Sequence, residues 1–376
     1  MKHCQPGAVA VALLWSVLAA AQELTPADAI ELERQGRLQE AADVWSAVAK
    51  RNPNDAGALA SLGVVLSKEQ KYQEAATAYR KALALSPRLP GLQLNLGLAE
   101  FKQGRFSSAI APFRAALSAD PKSMQARTLL GMSYYGAKQF AETVKYLQPA
   151  VNADPANPEL RQVLAQSCLQ MKNYSCALEE FRKTLEQNPD SAAAHVLTGE
   201  ALDGLQKTRE AIAEFQSAAR LAPREPDIHF GLGYLYWKSH QYDDAKREFE
   251  AELSINAGNA QALAYLGDIE LRANNLEEAV SLLEKSVARA SDLRIAFLDL
   301  GTVRLRQQRY PEALKALSRA VELDPSEPGA HYRLARVYQA TGKTVEAQRE
   351  FAKTRELHQK ADAAVVVPMP GMNSKP

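Results

Sequence analysis

The feature that most constrains this chain is a period of 34 residues. Ala41, Ala75, Ala109, Thr143, Ala177, Ala211, Ala245, Ala279, Ala313 and Ala347 form a ladder with no insertion or deletion. Such a period means stacked copies of one supersecondary unit, each too small to bury its own apolar face alone. Twelve residues before each rung stands a glycine or alanine: Ala29, Gly63, Gly97, Gly131, Ala165, Gly199, Gly233, Gly267, Gly301 and Ala335. Four residues after each rung stands a large apolar side chain, from Trp45 and Tyr79 to Leu317 and Phe351. Two small residues let two helix backbones approach, and the large one fills the space beside them. Pro53, Pro87, Pro121, Pro155, Pro189, Pro223 and Pro325 follow at the unit ends, where a residue without an amide donor stops a helix. At the last three other unit ends Ala257, Ser291 and Gln359 stand instead. Turn segments such as Lys102-Gln103-Gly104-Arg105-Phe106 divide each unit into helix, tight turn, helix.

This constellation resembles the tetratricopeptide repeat (TPR) family over almost the whole chain. The resemblance implies an all-α fold, a right-handed α-solenoid of about ten hairpins whose first helices line a concave face. The units run at about 22–55, 56–89, 90–123, 124–157, 158–191, 192–225, 226–259, 260–293, 294–327 and 328–361, so the array spans 22–362. Thr208 and Thr344 depart from the aromatic or leucine that follows the turn in most units. Thr25-Pro26 reads as an N-cap followed by a first-turn proline. Residues 363–376 have no helical period, end in breakers and are expected to form a disordered tail.

The N-terminus has another character. Ala8 to Ala21 is apolar except for Ser16, follows a weakly basic start and ends on small residues, the pattern of a secretory signal over residues 1–21. It is shorter than the ~20 residues a membrane span needs. The chain is therefore expected to be exported, to the periplasm or outside; an uncleaved segment anchoring it to the membrane is the alternative. Two cysteines follow, Cys168 and Cys176, on either side of the fifth turn, and the choice between a disulfide and two core thiols stays open.

Function is expected to be binding. The 45 basic and 44 acidic side chains leave no net field to attract nucleic acid. No zinc spacing, His-Glu-x-x-His or phosphate loop occurs, so neither metal, cofactor nor small-molecule substrate is expected, and the chain is read as no enzyme. His195, His229 and His331 share one repeat position and are assigned to packing. On the first helices, Leu94, Leu98 and Phe101, then Met132 and Tyr135, then Phe230, Tyr234 and Trp237 form a second stripe beyond the one used within the hairpin. Leu298, Leu305 and Tyr332 occupy equivalent places. These eleven are the candidate contacts for a protein or peptide partner. Gln162, Gln166, Glu200 and Asp203 share the face near its middle, and Asp268, Arg272, Arg306 and Arg336 lie towards its C-terminal end, giving an acidic centre and a basic final third. A docking subunit for an enzyme encoded elsewhere would show the same sequence. An enzyme with an unrecognised site is the remaining alternative.

Overall fold

The computed structural model describes residues 24–365, all of whose regular elements are α-helices. The leader expected over 1–21 and the residues from 366 on lie outside this range. The chain gathers into two compact units that divide between Pro155 and Ala156. The first unit contains α1 (Pro26–Arg34), α2 (Leu38–Arg51), α3 (Ala56–Lys68), α4 (Tyr72–Leu85), α5 (Leu92–Lys102), α6 (Phe106–Ala119), α7 (Met124–Gly136) and α8 (Phe140–Ala153). The second begins with α9 (Pro158–Gln170), α10 (Tyr174–Gln187), α11 (Ala192–Gly204), α12 (Thr208–Leu221), α13 (Ile228–Lys238) and α14 (Tyr242–Ile255). It continues with α15 (Ala260–Arg272), α16 (Leu276–Arg289), α17 (Arg294–Arg306), α18 (Tyr310–Leu323), α19 (Pro328–Ala340) and α20 (Thr344–Val365). Each odd helix pairs with the even helix after it, and successive hairpins within a unit pack on one another, an all-α solenoid. α20 runs three residues into the segment read as a tail at 363–376.

The small-and-large rule of the sequence has a direct physical form. A methyl group on Gly63 would come within 2.5 Å of the Tyr79 ring, and one on Gly97 within 2.6 Å of Phe113. The same collision recurs at Gly199 with Phe215 (2.6 Å), Gly267 with Leu283 (2.7 Å) and Gly301 with Leu317 (2.5 Å). The rungs Ala41, Ala75, Ala109, Ala177, Ala211, Ala245, Ala279 and Ala313 are fully buried.

The turns obey a rule that the sequence shows only faintly. Gly36, Gln70, Gly104, Lys138, Lys172, Gln206, His240, Asn274, Gln308 and Gly342, 34 residues apart, all have positive φ between 57° and 75°. Only three are glycine, so seven hairpins hold an ordinary side chain in the left-handed region, a conformation that costs roughly 1 kcal/mol each. Helix starts recur as well. Asp55, Ser123, Asn157, Ser191 and Asn259 accept an amide hydrogen bond at the N-termini of α3, α7, α9, α11 and α15. In the third and seventh hairpins Pro90 and Pro226 intervene, and the helix starts later, on left-handed Gly91 and Asp227. α13 then has no cap of its own. The fully buried Glu252 of α14 supplies one, accepting from the Asp227 amide (3.0 Å), the Phe230 amide (3.3 Å) and the Asn259 side chain (3.0 Å).

Candidate partner-binding face

The first helices of the second unit carry two recesses of different charge. A groove of about 940 Å³ lies along α9, α11 and α13. Val196, Leu197, Phe230 and Tyr234 give it an apolar floor, while Glu200 and Asp203 bring acid to it. Asp203 accepts a 2.7 Å salt bridge from Lys238. Glu200 has no hydrogen bond or ion pair among the described residues. Its side chain is open to solvent yet walled by the groove, and desolvation raises its carboxyl above the ordinary range.

The aromatic stripe of α13 is not free, contrary to expectation. Tyr265 of α15 lies among its rings, 6.0 Å from Phe230, 5.6 Å from Tyr234 and 4.9 Å from Trp237. The Trp237 indole N–H donates to Asp268 at 2.7 Å, and the Arg272 guanidinium donates to the same oxygen at 2.6 Å. Arg272 also lies 5.9 Å from the Trp237 ring. α13, α15, α17 and α19 lean on one another in turn, so there the second stripe is mostly a seam between hairpins with one edge open. The same holds elsewhere: all three rings are half-buried, as are Leu94, Leu98, Phe101, Met132, Tyr135 and Leu305. Phe101 packs edge-on against Phe106 (5.3 Å) and Phe113 (6.5 Å), and Tyr135 against Phe140 (6.2 Å). Leu298 is the most buried of the eleven, 8% exposed and packed in the core between α17 and α19. Tyr332 alone of the eleven is exposed, at 45%, with its ring 5.9 Å from Phe351.

The second recess, about 370 Å³, lies among α15, α17 and α19 and is lined by Arg272, Arg294, Arg306 and Arg333. Asp299 faces it too, 6% exposed, and its Oδ2 is buried without a hydrogen-bond partner. Burial, with Asp268 adding to it, pushes the Asp299 carboxyl up to about 7 although arginines surround it. Tyr265, beside the same recess, is pushed up to about 12, chiefly by burial. Asp299 was not among the residues expected from the sequence: its repeat position varies, with Ser61, Asn95, Leu129, Val163, Leu197, Gly231, Tyr265 and Arg333 in other hairpins, so the period does not mark a buried carboxylate there.

The shared histidine position proves to be a stitch. His195, His229 and His331 each meet a glutamate 19 residues later, Glu214 (2.6 Å), Glu248 (2.7 Å) and Glu350 (2.5 Å). The other ring nitrogen meets the carbonyl of Pro189, Pro223 or Pro325 at 3.0–3.2 Å. Arg161 fills that position in the fifth hairpin, paired with Glu180 at 2.9 Å. In the same hairpin Cys168 and Cys176 are joined as a disulfide across the turn, with Cα atoms 5.8 Å apart. Among the described residues no group of three or more His, Cys, Asp or Glu is placed to hold a metal ion. No helix among them is long and apolar enough to cross a membrane.

Hairpin stacking, a glycine or alanine opposite each large apolar side chain and open recesses along the first helices define a helical-repeat scaffold. The chain belongs to the tetratricopeptide repeat family. One profile of that family matches residues 27–90, 163–226 and 230–293, a little over half the chain, and another matches 66–133 and 304–366. A profile for the anaphase-promoting complex, cyclosome, subunit 3 matches 102–184. No curated protein matches the sequence. Among solved structures, the APC/C hetero-tetramer Cut9-Hcn1 is similar at 14% identity over 88% of this chain and 80% of that one, with a TM-score of 0.52, a likeness of fold. YrrB, a TPR protein with an unusual peptide-binding site, aligns with 51% of this chain and 100% of its own at 22% identity and TM-score 0.41. MamA aligns with 44% of this chain and 96% of its own at 19% identity and TM-score 0.39.

Proposed function

We propose that the chain is a non-catalytic scaffold that holds an extended segment of a partner protein in the groove along α9, α11 and α13, with a basic side chain of that segment on Glu200. The observation that carries this reading is the carboxylate of Glu200, desolvated and unpaired beside an apolar floor. A lysine or arginine delivered by a partner would give that carboxylate the charge partner it lacks, and the floor would take the neighbouring apolar side chains. Alanine in place of Phe230, Tyr234 and Trp237 is a poor test, because it would also loosen α13 from α15. Glu200→Gln leaves the packing alone. End-blocked peptides that alternate leucine with lysine should bind, and Glu200→Gln should weaken them about tenfold, the worth of one charge-assisted hydrogen bond. Equal affinity for the variant, by isothermal titration calorimetry, would remove the groove assignment.

Export belongs to the same proposal. The leader pattern over 1–21 and the Cys168–Cys176 disulfide support an oxidising compartment, the periplasm or the exterior. N-terminal sequencing of the protein from its native source should begin at Gln22, and a chain retaining Met1 would exclude cleavage.

A further inference from the structure

The recess among α15, α17 and α19 holds more positive charge than its own acids neutralise. Arg272 is engaged with Asp268 at 2.6 Å. Arg294 reaches Asp324 and Glu327 only at 3.7 and 3.6 Å. Arg306 donates to the Leu271 carbonyl at 3.0 Å and Arg333 to the Gly329 carbonyl at 3.0 Å. Neither has an ion pair among the described residues. Two guanidiniums that give one bond each to a carbonyl keep most of their five donors for something else. In the same recess the Oδ2 of Asp299 is buried and bonded to nothing. A buried oxygen without a partner, in an open pocket lined by arginine, is a group waiting for a ligand.

Ligand sign follows from the surroundings. A cation would enter against four arginines. An anion would be drawn in by them but repelled by an ionised Asp299; once protonated, Asp299 becomes a donor. We propose that this recess binds the carboxylate of an aspartate or glutamate in a partner segment, held by Arg306 and Arg333, and that it does so when Asp299 carries a proton. The anion accepts from both guanidiniums and from the Asp299 hydroxyl, which satisfies the orphaned oxygen. This site stands whether or not the groove along α9 to α13 holds a basic segment.

Binding is therefore coupled to proton uptake. The charged and titratable groups around Asp299 are Tyr265, Asp268 and Arg272 on α15, Arg294 and Arg306 on its own helix, Glu327 before α19 and Arg333 on it. A bound carboxylate raises Asp299 further above about 7, so the complex keeps a proton that the free protein loses. Affinity is full below neutrality and falls as pH rises, by at most about tenfold per pH unit.

The test is calorimetry on the full chain with an end-blocked peptide carrying two adjacent glutamates, and with its glutamine counterpart, between pH 6 and 8. The glutamate peptide should bind at pH 6, the glutamine peptide should not, and affinity should fall about tenfold by pH 8. Arg306→Gln and Arg333→Gln should each weaken it about tenfold at pH 6. Asp299→Asn, which keeps the shape and a donor, should bind as tightly at pH 8 as at pH 6. Glu200→Gln should leave all of this unchanged, so failure here and failure of the groove are separable. Equal binding of the glutamine peptide overturns the proposal, as does a pH dependence that survives in Asp299→Asn. Loss of binding in Asp299→Asn without any loss of thermal stability overturns it too. Binding of inorganic phosphate but not of the end-blocked peptide would mean a free anion site instead, and would also overturn it.

Discussion

In hairpins five, six and seven a basic side chain of the first helix meets a glutamate 19 residues on: Arg161 with Glu180, His195 with Glu214, His229 with Glu248. In hairpins eight and nine the same two positions hold Leu263 with Leu282 and Phe297 with Ala316. The two stretches share the 34-residue plan and place their buried charge differently. In the first, charge is spent inside the hairpin, each acid with a partner from its own unit. In the second, those two positions are apolar, and on the first-helix face Asp268 is shared by Trp237 and Arg272 while the buried Oδ2 of Asp299 is bonded to nothing. A buried charge completed by its own repeat is architecture; one left incomplete beside a cavity is available to a ligand.

The largest effect should come from breaking the first arrangement. Glu180→Ala removes the buried ion-pair partner of Arg161, itself 3% exposed, and should cost about 3–5 kcal/mol. Importing the arrangement of hairpin eight, Arg161→Leu with Glu180→Leu, should be close to neutral or stabilising by about 1–4 kcal/mol. Because a repeat array can unfold piecemeal, amide hydrogen exchange over α9 and α10 is the suitable measurement. If the double variant is as unstable as the single, the pair is more than a buried charge awaiting its counterion.

Asp299→Asn should act in the opposite direction. A carboxyl raised from 3.8 to about 7 by burial lets the folded chain hold a proton that the unfolded chain has released. That contribution is fully present below pH 3.8, is lost as pH rises through about 7, and leaves an uncompensated buried charge above it. The asparagine variant should therefore be the more stable at pH 8, by up to about 4 kcal/mol, with the advantage shrinking towards pH 4. Urea unfolding at pH 8 and pH 5 separates the outcomes: equal gains at both would mean that packing, not titration, sets the difference.

The fold was legible because its signals are steric and periodic. Gly267 lies under Leu283 for the same reason that Gly63 lies under Tyr79, and spacing alone reveals it. The candidate surface was legible in part. Glu200, Asp203, Arg272 and Arg306 could be put on one face by period, and they do line the two recesses. Tyr265 could not be anticipated as the residue that occupies the aromatic stripe, because packing between successive first helices depends on side chains in different repeats. Asp299 was missed because a lone acid on a helix reads as solvated; only the neighbours that bury it show otherwise. The left-handed turn residues were hidden for a similar reason, since Gln, Lys, His and Asn outnumber glycine there.

Packing that both stretches share should respond alike. Gly199→Ala drives a methyl to 2.6 Å from Phe215, and Gly267→Ala drives one to 2.7 Å from Leu283. Each should cost about 1–3 kcal/mol by overpacking, with no dependence on pH. A marked inequality between the two, read from urea midpoints, would show that the polarity of the stitch changes how far a hairpin can yield.

The smallest effect tests the turns, where the two stretches differ by one side chain. Gln206 and Asn274 occupy the same left-handed position at φ 60° and 65°. Asparagine tolerates this region better than glutamine, so less strain is stored at Asn274. Glycine would release the strain at either place, roughly 1 kcal/mol for glutamine, but it also loosens the unfolded chain by about 0.4–1 kcal/mol. Gln206→Gly should thus come out neutral to stabilising by about 0.5 kcal/mol, and Asn274→Gly destabilising by a similar amount. Paired thermal melts of the two variants decide it: a gain at Asn274 as large as at Gln206 would mean that the turn is held by the helices it joins, and that the identity of its central residue is irrelevant to strain.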